Sequence, residues 1–196
     1  MPVVTGLREL RGGRRVAVEL DGARWRTIPV EVVVRVRLGV GEELERPRLR
    51  ELARELRRAR AVETALRAVS RREQSAAELD LRLQRRGFAP GLREETLNRL
   101  EHVGLVDDES YAMRRAESLS ERGQGDEAIR WRLERDGVAA EIAAKAIVAL
   151  PPERERARLV VAARGSGLGT ARELARRGFG EDAVEEALGR AVADAP

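Results

Sequence analysis

Two hydrophobic periodicities divide the chain. Across residues 3–28 apolar and polar positions alternate: "RRVAVEL" is followed by Asp21-Gly22 and then "ARWRTI". Strict alternation marks half-buried strands, and Asp-Gly between two such runs is the strongest short hairpin signal, because both central residues of a type I′ turn need positive φ. Val16, Val18 and Leu20 share one face of this element, with Trp25 and Ile28 in the partner strand. Two strands are too little to stand alone, so the hairpin must pack on something.

From Pro47 the period lengthens to three and four residues, through Leu49, Leu52, Leu56, Val62, Leu66 and Val69. This is the helical repeat, and no later stretch reads as strand. Starts and stops punctuate the remainder. Ser75 with Glu78 forms a capping box, Pro90 occupies a first-turn position, and Pro151-Pro152 opens another helix. In "GLVDDESYA", Asp107 reads as an N-cap with Asp108 and Glu109 in the first turn, and Val106 can staple to Tyr111. These acids are therefore read as a cap and not as metal ligands.

The tetrapeptide RRGF occurs twice, at 85–88 and 176–179. If Gly87 is the C′ residue of a helix, Leu83 and Phe88 occupy the positions whose side chains meet in a Schellman cap. Leu174, Gly178 and Phe179 repeat the spacing, and so do Leu133, Gly137 and Val138 in a third, divergent copy. Leu97, Ile147 and Leu188 each follow their glycine by ten residues. The unit is thus helix, glycine turn, helix, with a further helix fitting at 107–122 and again at 153–163. The expected organisation is a small β-rich element at 1–46, a connecting helical region at 47–74, and helical repeats at 75–122, 123–163 and 164–196.

Composition narrows the chemistry. The chain has no cysteine and one histidine, His102, so thiolate sites and histidine-centred triads have no material. A glycine-rich stretch, "RGSGLGTARELA" at 164–175, departs from a dinucleotide loop because Thr170 stands where the third glycine belongs. It reads instead as a flexible connection between the second and third repeats. With no nucleophile and base, paired acid and base, or cofactor loop, the chain is expected not to be an enzyme and to carry no cofactor. The N-terminus lacks a signal-peptide pattern, and no run is apolar enough to span a bilayer, so a cytoplasmic location without membrane association is expected.

Charge is unevenly placed. Residues 1–72 hold 18 Arg against 10 acidic residues, while the rest is net acidic; the only lysine is Lys145. Arginine pairs recur near predicted helix ends: Arg71-Arg72, Arg85-Arg86, Arg114-Arg115 and Arg176-Arg177. The helix dipole accounts for some of them, and their recurrence makes them candidates for contacting an anionic partner. Trp131 lies opposite the Ile129 and Leu133 core face, suited either to packing on a neighbouring repeat or to an exposed partner contact. Helix-turn-helix DNA binding is the alternative function. It fits poorly with Glu181, Asp182, Glu185 and Glu186 on the last helix, where phosphates would be repelled.

The succession "ALRAVSRREQSAAELDLRLQRRGF", "LNRLEHVGLVDDESYAMRRAES", "GQGDEAIRWRLERDGVAAEIAAKAI" and "ARELARRGFGEDAVEEAL" resembles the RecX family of regulatory proteins over about 60–193. The resemblance implies a mainly α fold of three tandem three-helix repeats in an elongated, curved body, here preceded by the β-hairpin element. It also implies a function: binding the RecA recombinase filament on single-stranded DNA and restraining its ATPase, growth and strand exchange. Single-stranded DNA is a further partner on that reading, and the protein is expected to act as a monomer.

Overall fold

The computed structural model describes residues 1–193, with side-chain environments through Gly189; residues 194–196, the end of the expected third repeat, lie outside the described residues. The chain is mainly helical behind a small antiparallel sheet. It divides into two compact units, one comprising Met1–Arg71 and Leu83–Asn98, the other Arg72–Arg82 and the chain from Arg99 onward.

In the first unit, β1 (Val4–Glu9), β2 (Arg15–Leu20) and β3 (Ala23–Pro29) form a sheet in that order. Asp21 and Gly22 both have positive φ, 49° and 77°, as a type I′ hairpin turn requires. Val16 faces Ile28 across the hairpin, and both are buried. Two features exceed the expected hairpin. A third strand, β1, pairs along β2. Then "VEVVVR" forms a short helix, α1 (Val30–Arg35), despite its β-branched residues. Val32 in α1 and Val36 at its C-cap, four residues apart, are both buried on the core side, so tertiary burial overrides local propensity. The long helix α2 (Arg46–Val69) supplies Leu52, Leu49 and Leu56 to the same core.

Glu55, on α2, is 5% exposed. It is held by Arg58 at 2.6 Å and by Arg35 of α1 at 3.1 Å. Burial pushes its carboxyl up, but the hydrogen bonds from Arg58 and Arg35 outweigh that and keep it below the ordinary carboxylate range.

The remaining helices are α3 (Ala76–Arg85), α4 (Pro90–His102), α5 (Asp108–Glu121), α6 (Asp126–Arg135), α7 (Ala140–Val148), α8 (Glu153–Arg164), α9 (Leu168–Arg176) and α10 (Glu181–Ala193). All three turn glycines have positive φ. The N–H of Phe88 donates to the Leu83 carbonyl at 3.2 Å, that of Val138 to Leu133 at 3.0 Å, and that of Phe179 to Leu174 at 3.1 Å. These are Schellman caps, and Leu83, Leu133 and Leu174 are fully buried beneath them. Asp107 accepts from the Ser110 N–H at 3.1 Å, which makes it the N-cap of α5.

Two expectations shift. The stretch 164–175 is mostly helix: Gly165 ends α8, α9 begins at Leu168, and the connection shrinks to three residues. Thr170 is 7% exposed, one turn before Leu174, and so takes the core-facing place held by Leu79 and Ile129 in the other copies. The grouping of helices also differs in phase. The expected boundaries attach each accessory helix to the pair before it. In the structure Tyr111, Ala112, Ala116 and Leu119 of α5 share a core with α6 and α7, and Ala157 and Val161 of α8 share one with α9 and α10.

Candidate functional site

Within the second unit, helix ends meet in one recurring way: the C-terminal turn of a later helix lies against the N-terminus of an earlier one. At the first joint the later helix is α6 and the earlier is α3. Ser75, the α3 cap, accepts from the Glu78 N–H at 3.1 Å and donates its own hydroxyl to the Asp136 carbonyl at the α6 C-cap. A Cβ on Gly137 would fall 2.2 Å from that of Ala77.

At the second joint α9 meets α6. The N–H groups of Gly125 and Glu127 donate to the carbonyls of Arg177 and Gly178 at 2.9 and 3.1 Å. Helix starts have spare donors and helix ends spare acceptors; the second joint pairs two of each directly, while at the first the Ser75 hydroxyl supplies the donor to the Asp136 carbonyl. The first copy of the turn differs: a Cβ on Gly87 would meet nothing within 4 Å.

Polar side chains lock these joints. Asp136 accepts from the Tyr111 hydroxyl at 3.1 Å and from Arg115 Nε at 3.3 Å, while Asp108 accepts from the Ala76 N–H at 2.8 Å. Burial, reinforced by the Asp136 charge, pushes the Tyr111 phenol up to about 12. At the second joint Arg156, 8% exposed, donates to the carbonyls of Pro151 at 3.0 Å and Gln124 at 2.8 Å and pairs with Asp126. Glu153 accepts from the Asp126 N–H at 2.6 Å and the Gly180 N–H at 3.3 Å.

This network sorts the candidate arginines. Arg72 makes a two-pronged pair with Glu78, both contacts at 3.0 Å. Arg114 pairs with Glu73 at 2.8 Å and Arg115 with Asp136. Arg177 pairs with Glu173 at 2.7 Å and reaches toward the Gly123 carbonyl. These four guanidiniums are thus engaged within the fold. Arg71, Arg85, Arg86 and Arg176 are exposed and make no ion pair among the described residues. Arg85 and Arg176 close α3 and α9 at equivalent positions, where a cation also suits the helix C-terminus. Trp131 is 56% exposed and stacks on Arg135, whose guanidinium carbon is 4.8 Å from the ring centroid, so of its two expected roles packing in a neighbouring core is not the one seen.

Sequence reasoning missed Asp136, Arg156 and Glu153, whose partners are distant in the chain. The signal available was small residues, Ala77, Gly125 and Ala128, near the starts of α3 and α6. No helix among the described residues is long and apolar enough to cross a membrane.

Comparison with known proteins accords with this architecture. Residues 61–100 match a family model described as RecX, first three-helix domain, which begins in α2 and runs through α3 into α4. The regulatory protein RecX of Deinococcus radiodurans is 35% identical over 164 residues, covering 79% of this chain and 78% of that protein. That of Mycolicibacterium smegmatis is 34% identical over 120 residues, and the matched region spans 60% of each. A crystal structure of regulatory protein RecX superposes with a TM-score of 0.79, covering 97% of this chain and all of that one at 19% identity.

Proposed function

This chain belongs to the RecX family of regulatory proteins, and on that premise we propose that it binds the RecA recombinase, chiefly as its filament on single-stranded DNA, and restrains ATP hydrolysis, filament growth and strand exchange. The observation that carries the reading to particular residues is the separation of two arginine classes. Arg72, Arg114, Arg115 and Arg177 serve the fold. Arg85, Arg86 and Arg176 stand unpaired at the ends of equivalent helices and are available to carboxylates or phosphates on a partner. Arg71 and exposed Trp131 are further contact candidates, Trp131 because a fixed aromatic with a stacked cation is a frequent interface anchor. Action as a monomer, by occupying partner surface and not by chemistry, completes the proposal.

The test is the single-strand-dependent ATPase of the cognate recombinase with this protein present below stoichiometry. Wild type should inhibit. Arg85→Glu/Arg86→Glu/Arg176→Glu should inhibit at least about tenfold less well, as loss of a few charge-assisted contacts implies, with its helicity unchanged. Full inhibition by that folded variant would remove the role of these corners, and no inhibition by wild type would remove the reading itself. Sequence-selective duplex binding by the protein alone would favour the helix-turn-helix alternative.

A further inference from the structure

Between β3 and the flank of α2, within the N-terminal unit, runs a groove of about 640 Å³. Its apolar lining comes from Trp25, Ile28, Leu49, Leu52 and Leu56. Four arginines border it: Arg15 and Arg26 from the strands, Arg57 and Arg60 from one face of α2. Glu63, the single carboxylate among the lining residues, is already paired with Arg67. Arg57 and Arg60 are exposed and make no ion pair among the described residues. Arg48, Arg54, Arg58 and Arg67 of the same helix have carboxylate partners, whereas Arg57 and Arg60 leave two unpaired cations on the border of this groove. The Arg26 guanidinium lies 4.4 Å from the centroid of Trp25, presenting a planar cation against an indole.

We propose that this groove binds single-stranded nucleic acid, with an unstacked base resting on the Trp25–Arg26 pair and flanking phosphates held by Arg57 and Arg60. Each part of the ligand meets its chemical complement. Aromatic and guanidinium planes stack any base without reading its sequence, the apolar lining replaces the neighbouring base in the stack, and cations on both sides track a polyanion. A duplex keeps its bases stacked on one another and can offer only phosphates to the rim. An acidic peptide could satisfy the arginines, but it brings no base to stack on the indole and guanidinium planes. The site uses none of the arginine corners and requires no recombinase, so it stands or falls separately from the function proposed above.

The experiment uses the full chain carrying Trp131→Phe, so that Trp25 is the sole indole, titrated with an oligothymidine of about 15 nucleotides, a length suited to one such groove. Trp25 fluorescence should be quenched on binding, and affinity should fall steeply with salt. Arg57→Gln/Arg60→Gln, which alters two exposed side chains, should weaken binding at least about tenfold and flatten the log–log salt dependence by about 1 to 2. In the Trp131 background, binding followed by a dye on the oligonucleotide should weaken about tenfold for Trp25→Ala and largely recover for Trp25→Phe, which keeps a stacking face. Absence of quenching, unchanged affinity in the double arginine variant, or equal affinity for a blunt duplex of the same length would each overturn the proposal. Quenching by oligoglutamate but not by oligothymidine would overturn it in favour of an acidic protein partner.

Discussion

Gly178 packs so closely on Ala128 that a Cβ added to the glycine would lie 2.6 Å from the alanine Cβ and equally close to its backbone nitrogen. The glycine of RRGF therefore has two duties at this copy. It takes the positive φ of the cap, and it lets two helix ends meet backbone to backbone.

That double duty separates three otherwise similar substitutions. Gly87→Ala meets only the strain of a left-handed backbone and should cost about 1–2 kcal/mol. Gly137→Ala and Gly178→Ala add a steric collision and should cost about 2–3 kcal/mol more. Urea denaturation of the three variants checks the order; equal losses would mean that the joints yield freely.

Arg156 is the cation of the second joint, and its removal leaves two carbonyls and the Asp126 carboxylate short of a donor. Arg156→Met, which keeps much of the packing stem, should destabilise by about 3 kcal/mol. Asp126→Asn should cost less, since an amide oxygen still accepts. Thermal unfolding of both variants distinguishes this from a simple packing role, for which the methionine would be nearly neutral.

Tyr111 is the only tyrosine in the chain, so its titration can be followed by tyrosinate absorbance without interference. The phenol should ionise near 12, through burial first and then the charge of Asp136. Its folded pKa is raised, so the associated stability is intact below about 10, the unfolded value, and is lost as pH rises toward 12. Asp136→Asn should move the titration downward.

Acid should weaken the N-terminal unit through Glu55. Its folded pKa is depressed, so the stabilisation is present above the unfolded value of about 4.3 and fades as pH falls through the lower folded one. Glu55→Gln should be about 2 kcal/mol less stable at neutral pH and show a shallower acid transition. Trp25 fluorescence in the Trp131→Phe background reports on this unit.

What the sequence disclosed follows the range of the interactions involved. Leu83 with Phe88 and Leu174 with Phe179 are contacts within six residues, so their spacing alone revealed the caps. The N-cap Asp107 and the Asp21-Gly22 turn are equally local. The pairing of α5 with α6 and α7 was out of reach, because a helix with apolar residues on one face can serve either neighbour. Helix α1 was hidden by valines that favour strands when unpacked. Among the arginine pairs, Arg114 and Arg115 look in sequence like Arg85 and Arg86. Only their distant partners, Glu73 and Asp136, reveal that two hold the fold together while the other two remain open.

The direction of the joints bears on how the chain is made. Gly125 and Glu127 of α6 receive their acceptors from Arg177 and Gly178, about fifty residues later, and Ser75 waits in the same way for Asp136. A ribosome releasing this protein in order would expose each helix start before synthesising the end that closes it. A chain arrested before Arg177 therefore lacks the acceptors that meet Gly125 and Glu127 at the start of α6.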